Sequence, residues 1–124
     1  MARLRRLALG AMRRLKLRGP GLISVAFVDG RTMQALNWRF LRHRGLTDVL
    51  SFRYEREVVV GEIVIAPAFA RSYAAAHGLA YGDELARYLL HGLLHWIGHD
   101  DRTRAQQRRM RALEDCLLEQ CGRS

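Results

Sequence analysis

The pattern of apolar residues along the 124-residue chain predicts an α+β fold or a small layered α/β fold. Three observations carry this expectation. The segment from about Asp83 to Ile97 is apolar nearly all round, as a helix buried at the centre of a domain must be. Three β-rich runs, Leu22 to Val28, Val49 to Tyr54 and Val58 to Ile65, stand ahead of it. Amphipathic helical patterns flank both ends of the chain. A chain of this length builds one core and has no room for a second, so residues 1–124 are expected to form a single domain.

The elements follow in order. Between Arg3 and Arg18, Leu4, Leu7, Ala8, Ala11 and Leu15 share one stripe, with Arg5, Arg6, Arg13 and Arg14 outside it. A basic amphipathic helix can lie on a membrane or serve as a transit peptide. Here it is expected to pack on the sheet with its basic face in water. Gly19-Pro20-Gly21 should end it. The first strand follows, then an Asp29-Gly30 turn, a helical pattern from Arg31 to Phe40 and an irregular, Arg-rich stretch to Leu46. The two later strands should form a hairpin through Glu55-Arg56-Glu57. Pro67 suits the first turn of a helix running to His77, and Gly78 stops it. Asp83 and Glu84 favour the start of the central helix through its dipole. Thr103 to Gln120 reads as a last amphipathic helix, with Asp101 or Thr103 as its cap. There are no internal repeats, low-complexity tracts or linkers.

Lys and Arg together number 21 against 12 acidic residues, a net charge of +9 that suits a polyanionic partner. Lys16 is the only lysine. Arginine forks onto phosphate and stacks on bases, although a GC-rich genome also favours it. Cys116 and Cys121 fit neither a Cys-x-x-Cys motif nor a disulfide framework. With no signal peptide and no apolar run long enough to span a bilayer, the cytoplasm is the expected compartment, with no membrane partner.

Residues 91 to 101, His-Gly-Leu-Leu-His-Trp-Ile-Gly-His-Asp-Asp, carry the chemistry. On a helix, His91 and His95 project from one face about 6 Å apart, the spacing that offers two nitrogens to one zinc ion. Gly98 can turn the chain back, and Asp101 can then supply a third ligand. An aspartate just before a helix is more often a cap, but the two upstream histidines and the glycine favour the ligand role. His99 is the alternative third ligand. On a straight helix it would lie about 12 Å along the axis from His91, so it can bind only if the helix breaks first. Asp100 is expected as a cap or as an acceptor orienting an imidazole. Glu84 and Tyr88 share the helical face of the histidines and could bond them. A zinc peptidase needs a glutamate after its first histidine. Here that residue is Gly92, which argues against peptide hydrolysis.

This run resembles the signature of the YbeY family of bacterial ribosomal RNA maturation endoribonucleases, His-Gly-x-Leu-His-x-x-Gly-x-Asp-His. Ten of its eleven positions fit; at the last, Asp101 stands where the family has a third His. Thr47-Asp48-Val49-Leu50-Ser51-Phe52, the Leu36-Asn37 pair, Gly61-Glu62-Ile63, Met110 and Glu114 also resemble family blocks, so the likeness runs from about Leu22 to Glu119. The family places an arginine four residues after its Asn, where this chain has Leu41; Arg42 or Arg39 is expected to take that role.

The resemblance implies a small mixed sheet covered by helices, with the ligand histidines on the central buried helix. It also implies a zinc-dependent endoribonuclease for single-stranded RNA, acting in ribosomal RNA maturation and ribosome quality control. One zinc ion would be held by His91, His95 and Asp101. Arg42, Arg39 and His91 are the expected catalytic residues, and Arg39, Arg42, His43 and Arg44 the expected RNA contacts. Ribosomal RNA and the ribosome or its proteins are the expected partners. Two other classes stay open: a metallohydrolase of another substrate, and a ribosome- or RNA-associated binding protein with a structural metal closed by four ligands.

Overall fold

The computed structural model describes residues 2–17, 22–41, 49–53 and 59–121. The Gly19-Pro20-Gly21 breaker, the Glu55-Arg56-Glu57 connection and Arg42, His43 and Arg44 lie outside the described residues. The elements are α1 (Ala2–Arg14), β1 (Leu22–Phe27), α2 (Gly30–Leu41), β2 (Val49–Arg53), β3 (Val59–Ile65), α3 (Pro67–His77), α4 (Tyr81–Trp96) and α5 (Arg104–Cys121).

The strand order is β1-β3-β2. β3 runs parallel to β1, with Val25 opposite Ile63, and antiparallel to β2, with Ser51 opposite Ile63. The sheet is therefore mixed and the fold α+β, as expected. β3 lies in the middle, and its consecutive residues Ile63, Val64 and Ile65 are all buried. A strand covered on both faces loses the alternation of a half-exposed one. Ile63 and Ile65 pack with Leu89, Leu90, Leu93 and Leu94 of α4. Val64 joins Leu50 and Met33 of α2 in a second cluster.

α4 is the central helix that its composition predicts, with eight buried residues along its length. It sits unusually close to the sheet at Gly92. A Cβ there would lie 2.6 Å from Ile63 Cγ2 and 2.8 Å from Val49 Cγ1. Ser51 Oγ donates to the Gly92 carbonyl at 2.6 Å, tying β2 to the same turn of the helix. Gly61 is filled in a similar way: a Cβ there would run into the Trp96 indole.

α1 buries Leu7 and Ala11 against α4 and α5, so much of its apolar stripe is spent inside the protein. It stops earlier than the Gly-Pro-Gly signal suggests. Lys16 takes a left-handed backbone (φ 57°), its N–H bonds Arg13 O at 3.1 Å, and Leu17 N–H bonds Met12 O at 3.0 Å. These paired bonds close a helix C-terminus without glycine. Asp29 caps α2, its Oδ1 accepting the Thr32 N–H at 2.7 Å. No helix among the described residues is long and apolar enough to cross a membrane.

Candidate metal centre

His91 and His95 lie one turn apart on α4, as their spacing requires. The helix then ends in a glycine closure. Gly98 has φ 110°, its N–H bonds His95 O at 3.0 Å, and His99 N–H bonds Leu94 O at 3.0 Å. This reversal carries the chain back towards the histidines within three residues, and Asp101 arrives beside both.

Thr103 rather than Asp101 caps the next helix. Thr103 Oγ1 accepts the Gln106 N–H at 3.0 Å, while Gln106 Oε1 accepts the N–H groups of Arg102 and Thr103, each at 3.0 Å. This reciprocal box satisfies the first turn of α5 and leaves the Asp101 carboxylate for the histidines. The Asp101 carbonyl accepts Gln107 Nε2 at 3.1 Å, which ties the backbone down.

The three candidate ligand atoms form a nearly equilateral triangle. His91 Nε2 lies 3.1 Å from His95 Nε2, and Asp101 Oδ2 lies 3.3 Å from the first and 3.4 Å from the second. For bonds of about 2.0–2.1 Å, tetrahedral zinc places neighbouring ligand atoms about 3.3–3.4 Å apart. The donor set therefore fits a single ion. All three side chains are partly exposed, 28%, 31% and 37%, so the site is not sealed inside the protein. A structural site would be closed by a fourth protein ligand; a site keeping room for water is the catalytic pattern. Among the described residues, His99 is not part of this group; its backbone closes the helix instead.

A carboxylate that spacing alone does not reveal completes the site. Glu114 of α5 is buried, and its Oε2 accepts the Nδ1–H of His91 at 2.6 Å. This bond fixes the ring and puts the lone pair on Nε2, towards the triangle. Glu114 Oε1 accepts Arg87 Nη1 at 2.9 Å, and Arg87 Nη2 reaches Asp115 Oδ1 at 2.7 Å. Burial works against the Arg87 charge, but its hydrogen bonds to Asp115 and Glu114 outweigh that and hold its pKa above the ordinary arginine value. The signals for Glu114 were its place on the inner stripe of the last helix and its match to a family block.

Glu84 and Tyr88 do share the histidines' face. With Tyr73, Arg87, Gln107, Met110, Arg111 and Glu114 they line a cleft of about 370 Å³ that also contains His91 and Asp101. The carboxylate on His91, however, is that of Glu114. Asp100 pairs with Arg102 instead, at 3.6 Å. Arg39 is exposed in the last turn of α2.

The sequence profile described as "Endoribonuclease YbeY" matches residues 2–122. An Endoribonuclease YbeY from Bifidobacterium animalis subsp. lactis is 34% identical over 122 residues, covering 90% of this chain and 67% of the relative. One from Thermodesulfovibrio yellowstonii is 39% identical over 103 residues, covering 78% of this chain and 65% of the relative. One from Porphyromonas gingivalis is 38% identical over 99 residues, with coverages of 79% and 66%. The chain thus spans about two thirds of the length of these relatives. Its fold matches the solution structure of TM1509 from Thermotoga maritima, with a TM-score of 0.62, 23% identity, and coverage of 95% of this chain and 83% of that one. With the profile spanning nearly all of its length, this chain belongs to the Endoribonuclease YbeY family.

Proposed function

We propose that this protein is a zinc-dependent endoribonuclease that cuts single-stranded RNA during ribosomal RNA maturation and ribosome quality control. The observation that carries this reading is the open triangle of His91, His95 and Asp101, backed by Glu114, in a chain of this family. The cytoplasm, where ribosomal RNA matures in bacteria, is the compartment that the reading implies.

His91, His95 and Asp101 would hold the zinc ion. When bound, zinc acidifies a coordinated water towards neutrality and polarises a phosphoryl oxygen. Asp101 contributes an anionic oxygen, which makes the centre harder and more negative than three imidazoles would. Glu114 keeps His91 in the tautomer that presents Nε2, and Arg87 keeps Glu114 in place. Arg39 or Arg42 neutralises charge growing on the phosphate in the transition state. Arg39, Arg42, His43 and Arg44 are the basic residues that contact the RNA backbone in this reading. The further arginines of α1 and α5 extend this attraction. The ribosome or its proteins present the RNA.

Gly92 supports a nuclease over a peptidase for a steric reason. A Cβ on the residue after His91 would lie 2.6 Å from Ile63 Cγ2, well inside van der Waals contact, so no glutamate fits there as a general base.

The test is cleavage of a precursor ribosomal RNA by wild-type protein and by His95→Ala purified in parallel, each with and without chelator. Cleavage lost in the variant and in the chelated wild type is the expected result. Equal cleavage by both proteins would point to a contaminating nuclease and favour a binding protein. Intact RNA with cleaved peptides would favour a different metallohydrolase. The product ends identify the nucleophile: a 2′,3′-cyclic phosphate with a 5′-hydroxyl requires the RNA 2′-hydroxyl, and a 5′-phosphate with a 3′-hydroxyl requires water.

A further inference from the structure

We infer that the cleft beside the metal centre is a nucleobase subsite in which Tyr73 is the stacking platform. This inference rests on the endoribonuclease reading and adds a specificity residue to it.

Tyr73 stands on α3, outside the ligand helix, and is 41% exposed. It lines the same cleft as His91 and Asp101. One turn further on, His77 lies flat against it, with ring centroids 3.9 Å apart and planes 20° from parallel. His77 is itself held: its Nδ1–H donates to the Tyr73 carbonyl at 2.9 Å. His77 covers one face of the Tyr73 ring and does not line the cleft, whereas Tyr73 does. Two consecutive aromatic planes are thus stacked and oriented before any ligand arrives, which lowers the ordering cost of adding a third.

A lone exposed tyrosine is ordinary on a protein surface. Its setting here is not. The cleft is of the size that admits small-molecule groups and opens onto a site built for phosphoryl chemistry. Arg111, exposed on α5, borders it and offers a guanidinium to a flanking phosphate. Arg87 also borders it, but its fork is taken by Glu114 and Asp115. The occupant that suits an aromatic side chain, an exposed arginine and a metal centre in one cleft is a nucleotide with its base unstacked. A single strand presents bases that way and a duplex does not. Stacking tolerates any base, so the subsite selects strandedness more than sequence.

The experiment uses metal-loaded full-length protein and single-stranded oligoribonucleotides carrying one abasic position, moved along the strand. Cleavage kinetics are measured for wild type, Tyr73→Ala and Tyr73→Phe, with thermal melting as the folding check. For wild type, one abasic position should raise KM. Tyr73→Ala should raise KM about tenfold on the intact strand, the loss of roughly one stacked base, and the same abasic position should then cost nothing more. Tyr73→Phe should restore both the low KM and the abasic penalty. A wild-type KM in Tyr73→Ala, or an abasic penalty that persists unchanged in it, would overturn the inference while leaving the nuclease reading intact. A wild type that cleaves no RNA would overturn both.

Discussion

Glu114 and His91 are 23 residues apart, on two helices, and meet through a 2.6 Å hydrogen bond between Oε2 and Nδ1. His91 Nε2 on the other side of the ring is a corner of the candidate ligand triangle. One buried carboxylate thus couples the packing of α5 on α4 to the direction in which a metal ligand points.

Removing that carboxylate should weaken the metal site without deleting a ligand. Glu114→Ala is expected to lower zinc affinity by about 10–100-fold, measured by competition with a chelator of known affinity. Glu114→Gln keeps an acceptor oxygen and should lose less. Equal affinity in all three proteins would mean that His91 needs no partner.

The third corner is tested by two substitutions. Asp101→Ala should reduce bound zinc well below one ion per chain, read by native mass spectrometry. Asp101→His replaces carboxylate oxygen by imidazole nitrogen and should retain one ion, with a weaker relative preference for oxygen-seeking ions such as Mn²⁺. Full zinc loading of Asp101→Ala would remove Asp101 from the ligand set.

Gly92→Ala should destabilise the fold by about 1–3 kcal/mol, because the added methyl overpacks a helix–sheet contact. Ile63 Cγ2 and Val49 Cγ1 lie 2.6 and 2.8 Å from where it would sit. Chemical denaturation gives this directly. An unchanged unfolding midpoint would show that α4 can lift from the sheet at little cost.

Asp29 provides a pH signature away from the site. The hydrogen bonds from the Thr32 side chain and backbone lower its pKa below the ordinary 3.8. A carboxylate depressed in the folded state stabilises it above the unfolded pKa, and that contribution is lost as pH falls through the folded value. The contribution of Asp29 should therefore be full above about pH 4 and fade below 3.8. Asp29→Asn keeps an N-cap acceptor and should show a shallower loss of stability on acidification than wild type. Parallel acid profiles for the two proteins would contradict this.

Local features of the site were legible in the sequence, and non-local ones were not. His91 and His95 are neighbours by helical geometry alone, and Gly98 marks the reversal that returns Asp101. Asp101 and Thr103 both read as caps; Gln106, three residues after Thr103, decides between them by completing the capping box. Glu114 depends on how α5 crosses α4, which no spacing rule contains. His77 ends α3, as its place before Gly78 predicts, but the stacking of its ring on Tyr73 was not legible. For the fold, the mixed sheet and buried central helix emerged as expected. The end of α1 did not, because Lys16 adopts a left-handed conformation that composition assigns to glycine.

The most direct measurement is anomalous scattering at the zinc edge from crystals of the zinc-loaded protein. One peak is expected about 2.0–2.1 Å from His91 Nε2, His95 Nε2 and an Asp101 oxygen, with the remaining coordination filled by solvent. No peak there, or a peak closed off by a fourth protein ligand, would contradict an open catalytic metal centre.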